Sequence, residues 1–322
     1  MNIVVFNLNW LGDILFSLPV LYSIKQHYPK AHLATIVPPL YASMLTSQPY
    51  IDEVIAISDR TLFGKFRLLA QLKKKKWALG ILLHRSHTRA RIFKWSDMPT
   101  RVGYDTNHRA SLLTHAFPEP TPPLHKMGYL LHLIEKFGIP LTKKTYSYVP
   151  PSLVFPIPKP YVVFHPGSNW DPKRWPTPHY AKLGEYIKAS GMTNIVITGS
   201  RSDKKLVYSI QRRMRQSVID LTGKTNIPQL ASVLSQAQWV IAGDTGPMHL
   251  AVASGANVVA LYGPTSPHLN GPHSENKKPI VHWENPGCQS YPCKDPKCQH
   301  SIIMRNLSPE RVFKSIQDAA IT

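Results

Sequence analysis

Short apolar runs rich in β-branched residues recur along this chain, each followed by a loop and then by a stretch with helical spacing. The first, Ile3-Val4-Val5-Phe6-Asn7-Leu8, reads as a strand buried on both faces. Asn9-Trp10-Leu11-Gly12 then makes a turn, Asp13 stands where a helix begins, and Pro19 limits or kinks that helix. Further strands are expected at residues 32–37 and 78–83. Strand and helix alternating in this way predict an α/β fold, a parallel sheet covered by helices.

Between residues 146 and 160 the pattern breaks. Pro150, Pro151, Pro156, Pro158 and Pro160 crowd together, and no helix survives that density. The expected division is therefore a first domain over residues 1–150, a proline-rich linker at 151–160 and a second domain at 161–322. After the linker the alternation restarts. Strands are expected at 161–165, 194–198, 218–221, 239–243 and 258–262. Helices are expected at 202–216, 228–236 and 247–254, with one more opened by Thr177 and Pro178. Ser308-Pro309-Glu310 combines a capping serine, a first-turn proline and a first-turn acid, and so starts a last helix. Two doubly wound α/β halves result, with no short-period repeat.

Length agrees with two domains: 322 residues exceed what one compact domain usually holds. Charge narrows the function. With 38 Lys+Arg against 18 Asp+Glu the net charge is +20, which disfavours an enzyme with no polyanionic neighbour. Residues 60–109 alone hold thirteen Lys/Arg and two acids, Asp97 and Asp105. Lys65, Arg67, the run at 73–76, Arg85, Arg89, Arg91 and Lys94 dominate there, so a polyanion is expected to dock on the first domain. Nucleic acid, an anionic membrane surface and a phosphorylated substrate all fit that charge. No DNA- or RNA-binding spacing occurs. The apolar start of the chain lacks a basic leader and a small-residue cleavage site and carries Asp13 in its middle, so it reads as part of the fold. No apolar run approaches the roughly 18 residues of a membrane span.

The most informative segment is Gly243-Asp244-Thr245-Gly246-Pro247-Met248-His249. It joins a strand to a helix at the carboxyl edge of the second sheet, where open α/β sheets bind ligands. Gly246 lets backbone approach closely, Pro247 starts the helix, and the first-turn amides face an anion such as a pyrophosphate. Thr245 adds a hydroxyl, and His249 faces the same pocket from the first turn. An ordinary strand-to-helix turn has much of this appearance too. The loop His165-Pro166-Gly167-Ser168-Asn169-Trp170-Asp171-Pro172-Lys173-Arg174-Trp175-Pro176 also follows a strand. Lys173 and Arg174 there bring mobile positive charge for a leaving phosphate, although a basic loop anchored by a buried Trp175 explains the same residues. Asp13, at a helix start, reads by itself as a cap, while a sugar hydroxyl needs some acceptor for its proton. Cys288, Cys293 and Cys298, with His300 beyond, lack the paired C-x2-C spacing of zinc modules. G-x-S-x-G, G-x-G-x-x-G and Walker A patterns are absent, which disfavours hydrolase, dehydrogenase and NTPase chemistry.

Taken together and in order, Leu11-Gly12-Asp13-Ile14-Leu15 with Leu18-Pro19, the HPGS…KRWP loop, Gly243-Asp244-Thr245-Gly246 with His249, and Tyr262-Gly263-Pro264-Thr265-Ser266-Pro267 resemble glycosyltransferase family 9. These are the ADP-heptose:lipopolysaccharide heptosyltransferases of Gram-negative bacteria. The resemblance implies a GT-B fold, two Rossmann-like domains facing across a cleft, with acceptor bound by the first and ADP-sugar by the second. It implies inverting transfer by single displacement, with Asp13 as general base and Lys173 stabilising the departing diphosphate. Ser168, Asn169, Arg174, Asp203, Thr225, Asp244, Thr245, Gly246 and His249 would bind the donor. Gly12, Lys65, Arg67, Arg85, Arg89 and Arg91 would meet the acceptor. The implied partners are ADP-heptose, the lipid A–Kdo inner core and the anionic inner-membrane surface, with no nucleic acid. The implied location is the cytoplasmic face of that membrane, at its periphery. No cofactor or metal is expected; Ile303 stands where many relatives carry a fourth cysteine. The rivals are a family 9 enzyme using another nucleotide sugar or a protein acceptor, a basic nucleic-acid-binding protein, and an inactive scaffold. Retention of Asp13, Lys173 and Asp244 argues against the last.

Overall fold

A computed structural model of the chain describes residues 1–153, 155–191, 194–214, 217–274, 277–284 and 301–321. The three cysteines and His300 lie outside the described residues, and so does the end of the helix expected at 202–216. The chain divides into two compact units, Met1–Tyr146 and Ser147–Thr322.

In the first unit, strands β1 (Asn2–Phe6), β2 (His32–Val37), β3 (Glu53–Ala56), β4 (Leu79–Leu82), β5 (Thr100–Tyr104) and β6 (His115–Phe117) form one parallel sheet in the order β3-β2-β1-β4-β5-β6. The intervening helices are α1 (Leu11–His27), the single turn α2 (Ala42–Leu45), α3 (Leu62–Lys73), α4 (His87–Trp95) and α5 (Lys126–Lys136). Every residue of β1 after Asn2 is buried, as a strand covered on both faces requires. Helix α1 departs from the expected start and is not ended by its proline. It opens at Leu11, with Trp10 in the capping position, so Asp13 sits inside the first turn and caps nothing. It also runs through Pro19 to His27. A proline removes one hydrogen bond, and here buried Leu15, Leu18, Val20 and Leu21 hold the helix on both sides of the gap.

The second unit repeats the design. Its strands are β7 (Tyr161–His165), β8 (Asn194–Ile197), β9 (Ile219–Asp220), β10 (Trp239–Gly243), β11 (Val258–Leu261) and β12 (Ile280–His282), ordered β12-β11-β10-β7-β8-β9 and all parallel. Its helices are α6 (Thr177–Ala189), α7 (Lys204–Arg213), α8 (Ile227–Ser235), α9 (Gly246–Ala253), the short α10 (Pro267–Asn270), α11 (Ser301–Asn306) and α12 (Pro309–Ile321). Numbered from the first strand of each unit, both sheets follow the doubly wound order 3-2-1-4-5-6. Each therefore has its switch point between the first and fourth strands, β1 and β4 in one and β7 and β10 in the other. Helix α7 begins later than expected because Ser200 and Asp203 close a capping box over a short 3-10 turn at Arg201–Asp203. As expected, Ser308 accepts from the Arg311 amide at the start of α12.

The proline-rich stretch belongs to the second unit instead of hanging free. Ser232 Oγ donates to the Pro151 carbonyl at 2.6 Å, and Asn194 Nδ2 donates to those of Pro158 and Pro160. Prolines lack an N–H but keep a carbonyl, so a proline-rich segment docks by accepting. The core of this unit gathers Phe164, Trp175, Tyr180, Ile197, Ile241 and Leu261, each buried side chain contributing about 1.5–3 kcal/mol. Trp175 is fixed by its indole N–H, which donates to the Leu307 carbonyl at 2.9 Å. Among the described residues no helix is long and apolar enough to cross a membrane.

Candidate active site

In the first unit, the loops after β1 and β4 meet at the switch point. Arg89, on α4, ties them together. Its Nε and Nη2 grip Asp59 at 2.6 and 2.7 Å, Nη2 also donates to Asn9 Oδ1 at 2.8 Å, and the guanidinium lies over the Phe6 ring. Burial opposes charge on Asp59, but the two bonds from Arg89 prevail and hold its carboxyl below the usual range. Arg89 is thus a buried brace for the turn at Asn9 and Trp10. His84, at the end of β4, is pushed down to about 4 by burial first and by Arg89 second, and is neutral near pH 7.

From that braced turn, α1 presents half-buried Gly12 and Asp13. Lys126, the first residue of α5, donates to Asp13 Oδ1 at 2.7 Å. Arg85 is exposed; it pairs with Glu119 at 2.7 Å and donates to the Tyr129 hydroxyl at 2.9 Å. Lys65 and Arg67 ride on α3, and Arg91 lies on the outer side of α4 against Trp95. Among the described residues no ion pair joins these three to Asp13.

In the second unit, the loops after β7 and β10 close on one carboxylate. Asp244 accepts from Lys173 Nζ at 2.6 Å, Thr265 Oγ1 at 2.7 Å and Asn270 Nδ2 at 2.8 Å, and His249 Nε2 stands 3.7 Å away. Lys173 Nζ also reaches the Asp244 carbonyl at 3.2 Å. Burial works against this carboxylate, yet His249 and Lys173 outweigh it and keep its pKa far below the ordinary range. Gly243 allows the approach: a Cβ there would stand 2.9 Å from the Lys173 carbonyl. Thr245 occupies the capping position of α9 with its hydroxyl turned back to the Gly243 carbonyl, and Gly246 and Pro247 are the first two helical residues. The first-turn amides of α9 thus open beside an ammonium, an arrangement suited to phosphate.

Arg174 folds back on its own loop, donating twice to the Ser168 carbonyl and pairing with Asp171. Asn169 is exposed, while Ser168 Oγ accepts from the Trp170 amide. Asp203 is buried in its capping box, and Gly167 packs so closely on it that a Cβ would meet Oδ2 at 2.6 Å. Thr225 is half-buried in the connection between β9 and α8. Lys173, Asp244, Thr245, Gly246 and His249 are therefore brought together; Ser168 and Arg174 frame that loop, and Asp203 touches it through Gly167.

Lys126, His84 and Asn270 belong to these constellations and carried no sequence signal, because each lies in a stretch without a motif. Thr265 lay within the quoted Tyr262–Pro267 segment but had no assigned role.

A family model described as glycosyltransferase family 9 (heptosyltransferase) matches residues 65–299. The chain belongs to glycosyltransferase family 9. The matched span includes Lys173, Asp244 and the residues grouped with them, and begins after Asp13. Among relatives of this family 9 chain, lipooligosaccharide heptosyltransferase 2 of Haemophilus influenzae is 28% identical over 85% of this chain and 87% of its own length. The structure of Escherichia coli ADP-heptose lps heptosyltransferase II superposes with a TM-score of 0.83 at 22% identity, covering 100% of this chain and 99% of that one. Escherichia coli heptosyltransferase WaaC with ADP-2-deoxy-2-fluoro heptose gives 0.78 at 19% identity, covering 99% and 100%. These likenesses agree with the two parallel-sheet α/β domains. Among the described residues of this family 9 transferase, no group of three His, Cys, Asp or Glu side chains is placed to hold a metal.

Proposed function

We propose that this transferase moves heptose from ADP-heptose to the Kdo- and heptose-containing inner core of lipopolysaccharide, with inversion at the anomeric carbon. The observation that carries the reading is the Lys173–Asp244 pair beside the start of α9, at the switch point of the second sheet. A diphosphate entering there meets an ammonium and a helix N-terminus, both suited to its charge. The Haemophilus influenzae relative and the WaaC structure, whose names include heptosyltransferase and an ADP-sugar, support heptose as the sugar.

The chemistry follows from a single displacement. An acceptor hydroxyl oxygen bonds to the anomeric carbon while that carbon's bond to the diphosphate oxygen breaks. Asp13 takes the hydroxyl proton, and ADP leaves with the bonding electrons. Negative charge grows on the departing diphosphate, where Lys173 and the α9 amides stabilise it. Asp244 orients Lys173. His249 and Lys173 outweigh the cost of burial and keep this carboxylate ionised, so it anchors the Lys173 ammonium. Ser168, Asn169, Arg174, Asp203, Thr225, Thr245, Gly246 and His249 complete the proposed donor side. Gly12, Lys65, Arg67, Arg85 and Arg91 face the acceptor, and Arg89 acts through the Asn9 turn. The positive charge of residues 60–109 is proposed to meet the anionic inner leaflet in which the acceptor is anchored, at the cytoplasmic face.

The test is a mass-spectrometric transfer assay with ADP-L-glycero-β-D-manno-heptose and either Kdo2-lipid A or its monoheptosylated form. A gain of one heptose mass, expected on the monoheptosylated acceptor, supports the reading. No gain on either, with ADP still bound, moves the donor or acceptor to another sugar or a protein. No ADP binding overturns it.

A further inference from the structure

The carboxyl edge of the first sheet carries a row of exposed apolar side chains that the transfer reaction does not use. Strands β3, β2 and β1 are neighbours in the sheet, and the segment leaving each one exposes a large hydrophobic residue. Trp10 follows β1 and is 56% exposed, and Leu40 follows β2 at 69%. After β3 come Leu62 at 72%, Phe63 at 77% and Phe66 at 68%.

Helix α3 is the strongest case. It buries Gly64, Leu68 and Leu72 on one side. At 100° per residue, Leu62, Phe63, Phe66 and Ala70 fall on the opposite side. A surface helix normally turns polar residues outward, so this one has two apolar faces. Thr61 caps it, accepting from the Gly64 amide at 3.1 Å, so the exposed side chains stand on an ordered turn. Cations frame them: Arg60 and Arg67 are exposed, Lys65 is half-exposed, and Lys73–Lys76 follow. Apolar tips set among cations match an anionic bilayer interface, where rings enter the acyl boundary and ammonium and guanidinium groups remain with phosphates. A soluble anionic partner would use the cations and leave three large apolar side chains in water.

We infer that Leu62, Phe63 and Phe66 form a wedge that inserts into the headgroup region of an anionic bilayer while Arg60, Lys65 and Arg67 hold its lipid phosphates. The inference rests on the proposed membrane partner and names the surface that meets it. The wedge leaves the same sheet edge as Asp13, so seating it brings the proposed acceptor site to the bilayer surface.

The test is co-sedimentation of the full chain with vesicles of phosphatidylglycerol and phosphatidylethanolamine, and separately of phosphatidylcholine, with no sugar acceptor or donor present. Its outcome is therefore independent of the transfer assay. Wild type is expected to partition onto the anionic vesicles and weakly onto phosphatidylcholine. A Phe63→Ser/Phe66→Ser variant is expected to lose roughly tenfold in partitioning at about 0.15 M salt, with an unchanged thermal melt because both rings are already in water. Arg60→Glu/Arg67→Glu is expected to remove the preference for anionic lipid. Unchanged partitioning of the phenylalanine variant overturns the wedge. Equal binding to both vesicle types overturns the role of the cations, and no binding by wild type assigns the surface to a protein partner instead.

Discussion

Lys126 Nζ lies 2.7 Å from Asp13 Oδ1, joining the first turn of α5 to the first turn of α1 across 113 positions of sequence. A residue that reads as a helix cap is instead the ion-pair partner of an exposed lysine. Asp13→Asn keeps the shape and removes the proposed proton acceptor, so kcat is expected to fall by about 10²–10⁴-fold. ADP affinity should stay unchanged, because Lys173, Asp244 and α9 all belong to the other unit. Lys126→Met leaves the carboxylate and removes only what orients it, and roughly a tenfold loss is expected. Steady-state kinetics with ADP binding by calorimetry checks both; a Lys126 variant as inactive as the Asp13 variant would mean that Lys126 itself takes part in transfer.

Removing Lys173 should be costly twice. Its side chain is 19% exposed and that of Asp244 is 4% exposed, so Lys173→Ala strands a buried carboxylate. Breaking such a pair costs about 3 kcal/mol, here moderated by the bonds from Thr265 and Asn270. On the proposed mechanism the leaving diphosphate also loses its ammonium, for an expected drop of about 10²-fold or more in kcat. Thermal melts and single-turnover rates separate the two effects. A Lys173→Ala protein with wild-type turnover would transfer the role to Arg174.

Acid should weaken the fold before it titrates any ordinary carboxylate. Burial pushes His84, His165 and His282 each down to about 4, whereas an unfolded imidazole titrates near about 6.5. Between those values the unfolded chain binds more protons, so stability is full above about pH 6.5 and is lost as pH falls towards about 4. Asp244 has the opposite kind of partner balance: its depressed pKa adds stability above about pH 3.9 that is lost only in stronger acid. His165 is the most enclosed of the three, with Nδ1 2.9 Å from Thr198 Oγ1. In urea unfolding at about pH 7.5 and 4.5, His165→Asn should narrow the stability difference by about 2–3 kcal/mol. An equal difference in both proteins would remove His165 from the acid response.

The fold was legible because its signals are local. Runs such as Val162-Val163-Phe164 and Val258-Val259-Ala260-Leu261 leave little choice but buried strands, and the glycines and capping residues between them mark the turns. The grouping around Asp244 was legible for the same reason: Asp244, Thr245, Gly246 and His249 are consecutive or nearly so, and Lys173 sits in a loop with its own pattern. What stayed hidden depends on distance. Lys126 and Asn270 become neighbours of Asp13 and Asp244 only when the chain folds. Arg89 was misleading in another way. Counted with Lys65, Arg67 and Arg91 it is one cation in a run, and only its position on α4 sends it inward to Asp59.

Arg89 and Arg91 therefore make a decisive pair, two residues apart on one helix and alike in sequence terms. Arg89 is 5% exposed and braces Asp59 and Asn9, whereas Arg91 is exposed and rests on Trp95. Arg89→Met should destabilise the fold by about 3 kcal/mol, since Asp59 is left charged and enclosed. Arg89→Lys should recover only part of that, because an ammonium cannot match the two-pronged grip on the carboxylate. Arg91→Gln should stay within about 0.5 kcal/mol of wild type while weakening vesicle or acceptor binding through lost charge. Chemical denaturation measures the first three values. If Arg89→Met melts like Arg91→Gln, the guanidinium does not brace the turn, and Asp13 owes its placement to α1 and Lys126 alone.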